Sequence, residues 1–542
     1  MSERDGVVVV GSGPSGVHAA AAALERGAHV TLVDVGHDDP ATRGSIPDGT
    51  FSWLRANDPG QARYFVGDLG EKRVTGIRVG AQLTPPREFI IHDVERLVPF
   101  RSDTFVPLRS LARGGLGSGW GAGAYTYDRD ELERAGLPAA EMRRWYDEVA
   151  REIGISGDLT SDIAPDVLEV SPVQPPAPLD TNARSLLAAY ANKREAFLAG
   201  GFRLGPGPLA MLTEPLERDG DVRGAARLDD MDFYSDASRA VYRPRYTLER
   251  LLRNPRLRVV DGALALRFAS TPDGISLTCR STRDGSRFVL EGRRLVLAAN
   301  ALGTTPIVLR SLNAYGVRVP LLSNPYLYLP CVNRAMFGRP SQDARHSLGQ
   351  LLGVLRTPGV DGSATASIYS YRSLLLFKLV KEMPLPPSLG VLVARLLLSS
   401  LTIVGVHFPE RASAGKWMAL RDEGEDGVLE AGYALDADQE RERRVSLRAM
   451  QRVVVALGCV PFGAIDPGAG SSIHYAGGLH VTDDASDAFG TTHDGRLHAS
   501  PNVRVADSSN WGWLPAKGLT LTLMASGRRA GARSADEAAA CV

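Results

Sequence analysis

The sequence predicts an α/β protein with a doubly wound, Rossmann-like sheet, and two stretches carry that expectation. The first is the run Gly6-Val7-Val8-Val9-Val10, which enters Gly11-Ser12-Gly13-Pro14-Ser15-Gly16. A small-residue helix follows (Val17 to Glu25), then a second strand, His29-Val30-Thr31-Leu32-Val33, ending in Asp34. The second stretch is Leu295-Val296-Leu297-Ala298-Ala299-Asn300-Ala301-Leu302-Gly303, which reads as a further buried strand entering a small-residue turn and a helix from Thr305 to Leu312.

Each part of the opening unit has a mechanical reason. Gly11 permits the tight turn, Gly13 lets backbone approach a pyrophosphate, and Gly16 lets helix and strand pack closely. The turn around Ser15 presents free helix N–H groups and a positive dipole end to phosphate oxygens. Asp34, twenty-three positions after Gly11, can accept both hydroxyls of an adenosine ribose. The unit announces an adenine dinucleotide without saying which one.

At 542 residues the chain is too long for one ordinary core, so two or more domains are expected. A hydrophobic content of 44% and a charged content of 23% are those of a globular protein. The net charge of zero gives no electrostatic argument for nucleic acid or an anionic membrane. Only six of the 62 basic residues are lysine, a bias that reads as a GC-rich, bacterial genome. Cys279, Cys331, Cys459 and Cys541 are scattered, without the spacing of a metal site or a disulfide framework. No secretory signal precedes the first strand, so a cytoplasmic location is the default expectation. Leu389 to Phe408 imitates a membrane span, but Ser399-Ser400 divides it into a helix-like run (Val391 to Leu398) and a β-rich run from Leu401. No membrane span is therefore expected.

Along the chain, residues 41–110 read as loop and short strands. Next comes Arg113-Gly114-Gly115-Leu116-Gly117-Ser118-Gly119-Trp120-Gly121-Ala122-Gly123, whose glycine density lets backbone lie against an extended ligand. Residues 246–268 read as helix, turn and strand, and residues 275–297 as a β-meander. Proline clusters at Pro172 to Pro178 and Pro384 to Pro387 mark crossings between domains. Motif density returns in the tail, with Ser471-Ser472-Ile473-His474-Tyr475-Ala476-Gly477-Gly478, then Val503-Arg504-Val505-Ala506-Asp507-Ser508-Ser509, then Gly518-Leu519-Thr520-Leu521-Thr522-Leu523-Met524-Ala525.

Taken together and in order, these motifs resemble the glucose–methanol–choline (GMC) flavoprotein oxidoreductases, with their cholesterol-oxidase-like and pyranose-oxidase-like relatives. The resemblance implies FAD, with adenosine at Asp34, pyrophosphate near Gly11, Gly13, Ser15 and Gly16, and the isoalloxazine between the tail and a loop containing Gly114, Gly115, Gly117, Trp120 and Gly121. It implies further flavin contacts from Asp507, Ser508, Leu519 and Thr520. It also implies a discontinuous FAD-binding domain (1–160, 225–312 and 465–542) and a mixed β-sheet and helix substrate domain (161–224 and 313–464). Where pyranose-oxidase-like relatives place a linking His this chain has Gly119, so non-covalent FAD is expected.

The chemistry that the resemblance implies centres on His474, facing the flavin and assisting proton removal from an alcohol. A neutral imidazole can accept and later return that proton. Relatives carry a second His or Asn where this chain has Gly518, and the neighbouring Lys517 is the candidate cationic donor. The leading expectation is an FAD-dependent oxidoreductase acting on the CH–OH group of a small hydroxylated molecule: a sugar, glycoside, polyol or secondary metabolite. Its electron acceptor, oxygen or another, is open. Gly518 keeps alive FAD-dependent desaturation or rearrangement in a biosynthetic pathway, and fold alone keeps alive a non-catalytic flavin-binding protein.

Overall fold

The opening valines form an interior strand of the larger sheet. In the computed structural model the described residues are 6–61, 63–66, 85–228, 238–271, 274–339, 343, 346–370 and 384–540. The elements that frame the site are, in chain order, β1 (Val7–Val10), α1 (Pro14–Glu25), β2 (Val30–Asp34), β3 (Leu257–Asp261), β4 (Arg294–Leu297), α2 (Ala301–Ser311), β5 (Tyr326–Asn333), β6 (Leu351–Arg356), β7 (Ser363–Ser370), β8 (Leu401–His407), β9 (Ser500–Val505) and α3 (Thr520–Ala540).

β1 pairs in parallel with β2 on one side and β4 on the other, and the parallel order is β9-β4-β1-β2-β3. Alternation divides the β1 side chains between two layers. Val7 and Val9 pack towards α1 with Val17, Ala20 and Leu24, whereas Val8 and Val10 pack with Phe268 and Leu277. That second layer is a three-stranded antiparallel meander (Ala263–Thr271, Gly274–Ser281 and Arg287–Gly292). The chain leaves β1 towards β2 and reaches β4 on the opposite side much later, which opens a crevice at the carboxyl ends of β1 and β4.

Helix α1 starts at Pro14, three residues before the expected Val17, because proline suits the first turn, where its missing N–H costs nothing. Its alanine run lets α3 come unusually close. A methyl group on Gly527 would lie 2.1 Å from the Ser15 carbonyl oxygen, and one on Gly531 would lie 2.0 Å from that of Ala19. Only glycine fits at both crossings. Likewise α2 begins at Ala301, not Thr305, with the Asn300 side chain accepting from the Leu302 N–H.

The second large sheet is antiparallel, in the order Cys459–Pro461, β5, β8, β7, β6, Phe202–Pro206. Alternation again sorts its residues. Leu327, Leu329, Val404, Val406, Ala366 and Ile368 pack with Met450 and Val454 of the helix Ala437–Ala456. The intervening Tyr326, Tyr328, Ile403, His407, Thr365, Ser367 and Tyr369 face a cavity.

Residues 41–110 differ from expectation. The described part forms short helices (Pro40–Gly44, Phe51–Asn57, Arg63–Val66, Pro85–Ile91 and Val94–Leu97) with a single two-residue strand, Phe100–Arg101. Local caps such as the Thr50 hydroxyl accepting from the Trp53 N–H set these turns, and they leave no periodic pattern to read. The apolar run at 389–408 is a helix, Pro387–Leu397, followed by β8. Among the described residues no helix is long and apolar enough to cross a membrane.

Candidate cofactor and active site

One continuous cavity runs from the turn after β1, beneath the 113–123 loop, to the exposed face of the antiparallel sheet. At its first end the lining includes the glycine turn, with Val35, Leu97 and Leu264 beside it. Gly11 has φ +99° and abuts Ala298, where a methyl group would lie 2.6 Å from the carbonyl oxygen. A methyl group on Gly16 would lie 1.8 Å from the Gly11 carbonyl oxygen, so this glycine closes the helix onto its own turn. Gly13 is different: a methyl group there meets nothing within 4 Å. Its exposed side belongs to the cavity, together with Ser15 and Asp34. Gly16 lies behind that surface.

Asp34 accepts hydrogen bonds from the backbone N–H groups of Ser12 (2.8 Å) and Gly36 (3.1 Å). Burial nevertheless pushes its carboxyl up to about 6, against those hydrogen bonds. Further hydroxyl donors would favour its ionised form.

The glycine-rich loop folds over this turn. The Gly114 N–H donates to the Ser12 hydroxyl at 2.9 Å, and Gly115 faces Gly13. Gly115, Gly117, Gly119, Trp120 and Gly121 line the cavity, with Gly114 behind them. The Trp120 indole is anchored by donating to the Tyr242 carbonyl at 2.8 Å. From the tail, Asp507, Leu519 and Thr520 line the same cavity. Burial pushes the Asp507 carboxyl up, although it accepts from the Thr304 hydroxyl (2.6 Å) and the Ser509 N–H (2.9 Å). Ser508 does not line the cavity: its hydroxyl donates to the Tyr475 carbonyl at 2.6 Å. The open face of Gly13, the buried acid at Asp34 and the loop above them fit an extended adenine dinucleotide.

His474 stands at the other end, just after Ile473, whose φ of +63° is strained for a β-branched residue. Its protonation can be read from its neighbour. The Asn324 amide donates to the carbonyls of Phe408 (2.8 Å) and Pro515 (3.0 Å), so its oxygen faces His474 Nδ1 at 3.1 Å. An amide oxygen only accepts; Nδ1 therefore carries the proton and Nε2 carries a lone pair. Burial lowers the His474 imidazole from 6.5 to about 4, so it is neutral at neutral pH. That is the form of a base.

Lys517 corrects the expectation of a cationic donor at the substrate. Its ammonium is buried, pairs with Glu131 and donates to the Asp166 carbonyl, and it is not among the residues lining the cavity. The turn that points Gly518 inwards points its neighbour outwards. Gly518 itself adjoins Tyr125, whose ring carbon would be 3.4 Å from an added methyl group. The other tail histidines also lie elsewhere: His480 pairs with Asp487 (2.8 Å), His498 contacts the Thr482 carbonyl (2.9 Å), and His493 does not line the cavity.

Sequence reasoning missed Asn324 and His407. His407, at the end of β8, lines the cavity with its ring stacked on that of His474 at 5.1 Å between centroids and 18° between planes. Tyr326 stacks on its other face at 4.2 Å and 27°. The alternation in Leu401-Thr402-Ile403-Val404-Gly405-Val406-His407 was the available signal, since it sets His407 on one face with Ile403.

No protein-family model matches the chain, and no curated protein matches it. Solved structures do share its fold. An FAD-dependent oxidoreductase from Chaetomium thermophilum, in complex with a fragment, superposes with a TM-score of 0.56 at 15% identity, over 97% of this chain and 98% of that one. Pyridoxine 4-oxidase from Mesorbium loti superposes with a TM-score of 0.54 at 16% identity, again over 97% and 98% of the two chains. Over nearly its whole length, the chain therefore has the two-sheet α/β architecture of these oxidoreductases.

Proposed function

We propose that the protein is an FAD-dependent oxidoreductase that oxidises the CH–OH group of a small, uncharged, hydroxylated molecule. The observation that carries this reading is the coexistence, in one cavity, of a dinucleotide cradle and a neutral histidine whose tautomer is set to accept a proton. The fold shared with FAD-dependent oxidoreductases supports the cofactor, and the pyridoxine 4-oxidase likeness supports an alcohol as the reducing substrate.

Gly13, Ser15 and Asp34 would hold the adenosine diphosphate half, and the 115–121 loop with Asp507, Leu519 and Thr520 would hold the flavin half, without a covalent link. Bound there, FAD supplies a two-electron acceptor for the hydride of a carbinol carbon. His474 Nε2 takes the hydroxyl proton as that hydride leaves, so alcohol becomes carbonyl. Asn324 keeps a proton on Nδ1, so that the lone pair that receives the hydroxyl proton is the one on Nε2. The chamber beside His474 is walled by Tyr125, Tyr326, Tyr328, Tyr369, Ser367 and Thr365. These phenols stay protonated, as burial raises Tyr125, Tyr326, Tyr328 and Tyr369. Hydroxyls and ring faces bind neutral polar molecules without the counter-charge that a buried ion demands.

The test is anaerobic reduction. The purified protein should carry FAD, and its flavin absorbance should bleach with at least one member of a panel of neutral primary and secondary alcohols. A protein that takes up FAD and is bleached by dithionite but by no alcohol would remove the reading.

A further inference from the structure

The second imidazole in the cavity has no part in the reading above, and its surroundings are unusual. His407 is half-buried on the central strand β8, whose neighbours β5 and β7 pair it with Tyr326 and Thr365. Among the described residues its ring nitrogens make no hydrogen bond to protein, while its faces are taken by Tyr326 and His474. A buried imidazole normally satisfies at least one nitrogen on a protein group. Here stacking fixes the ring plane and leaves the edge to the cavity.

We propose that His407 is a catalytic residue of the same site, donating its ring N–H to the substrate oxygen that His474 deprotonates. The proposal rests on the alcohol-oxidation reading. The alcohol oxygen needs one acceptor for its proton and one donor for the charge that grows on it. His474 Nε2 is the acceptor. Lys517 is turned away, Gly518 has no side chain, and Asn324 spends both amide hydrogens on backbone carbonyls. His407 has its ring stacked directly on that of His474 and, among the described residues, an N–H donor not spent on protein.

The proton balance is simple. The hydroxyl proton moves to His474, the carbinol hydrogen would pass with its bonding electron pair to the bound FAD as oxidant, and the His407 proton stays on His407. Burial and the adjacent imidazole hold His407 well below the usual histidine range, so it donates as a neutral N–H group. A positive charge beside His474 would oppose the protonation of that base.

Two variants separate hydrogen bonding from stacking. His407→Phe keeps a flat ring between Tyr326 and His474 but no donor; His407→Gln keeps a donor without the ring. With benzyl alcohol, or another alcohol shown to bleach the wild type, His407→Phe should slow anaerobic bleaching by about 10- to 100-fold, the range of a hydrogen bond to a developing charge. His407→Gln should recover part of that rate. Trifluoroethanol, which presents a hydroxyl but resists hydride loss, should bind the oxidised holoenzyme and perturb its flavin spectrum, and should bind His407→Phe at least several-fold more weakly. Wild-type bleaching and trifluoroethanol binding in His407→Phe would overturn the proposal.

A measurement on the wild-type holoenzyme serves if the variants do not fold. Diethylpyrocarbonate modification, mapped by mass spectrometry, should reach His407 and be suppressed by trifluoroethanol. Equal modification with and without the probe would also overturn it. Failure of every alcohol to bleach the wild type is a different result, which removes the functional reading itself.

Discussion

The two ends of the cavity are made of different material. At the turn beside Asp34 the surface is shaped by where glycine is obligatory; around His474 it is built from side chains presented by alternate residues of adjacent strands. A backbone surface can change only by deforming the fold, so its tolerance to substitution is a question of space. A side-chain surface can change one functional group at a time. The recognition of a constant group and of a variable one can thus be separated within a single cavity.

Gly16→Val should have the largest effect at the backbone end. The 1.8 Å approach to Gly11 leaves no room for a side chain, and the expected outcome is insoluble protein or protein without FAD, read from soluble yield and flavin absorbance. Gly13→Ala is the control, because space is open there; a folded protein with weaker FAD binding is expected. Equal damage from both would erase the distinction between packing and ligand-facing glycines.

His474→Ala should slow the reductive half-reaction by about 10²- to 10⁴-fold while leaving FAD content and melting temperature near wild type. Loss of FAD along with rate would mean that the two ends are not separable. Lys517→Met tests the corrected assignment. Leaving Glu131 buried without its partner should cost about 3–5 kcal/mol of folding stability, measured by denaturant titration, with the turnover of each FAD-loaded molecule retained.

The smallest effects come from pH, and the two ends should respond in different ranges. Asp34 has its carboxyl raised to about 6, and ribose hydroxyls favour the carboxylate, so FAD binding must expel a proton below that value. The dissociation constant of FAD from the apoprotein should rise as pH falls through about 6, by at most about tenfold per pH unit. His474 is lowered to about 4, so the base remains neutral as pH falls from 7 and is lost only as pH passes through about 4. Reduction of pre-loaded enzyme by stopped flow should therefore hold its rate across the range in which FAD affinity declines. A rate that falls with a midpoint near 6.5 would place an ordinary, solvated imidazole in the role of base.

The same contrast explains what could be read in the amino-acid sequence. The dinucleotide end is legible because strand, glycine turn, helix and acid lie within Val7 to Asp34, with Gly11 and Gly16 answering local steric demands and Gly13 left open. His474 was legible through the motif around it. Its partners were not. Asn324 and His407 reach it through sheet pairing across long stretches of chain, and register between distant strands leaves little trace in either segment alone. Lys517 was misassigned because adjacency to Gly518 says nothing of which way a turn aims consecutive side chains. The short helices of residues 41–110 escaped notice because caps and tight turns, rather than a repeating apolar face, define them.

The glycine seam between α1 and α3 has a bearing on how the protein is made. A ribosome delivers α1 long before α3, so the surface of α1 that contains Ser15 and Ala19 finds its cover only after Gly527 and Gly531 have emerged. Until then the alanine face is open to chaperones, whereas β1 waits a shorter stretch of chain for β4. The helix that opens on the glycine turn is thus backed by a segment that follows both large sheets in the chain, so its packing depends on contacts between residues far apart in sequence.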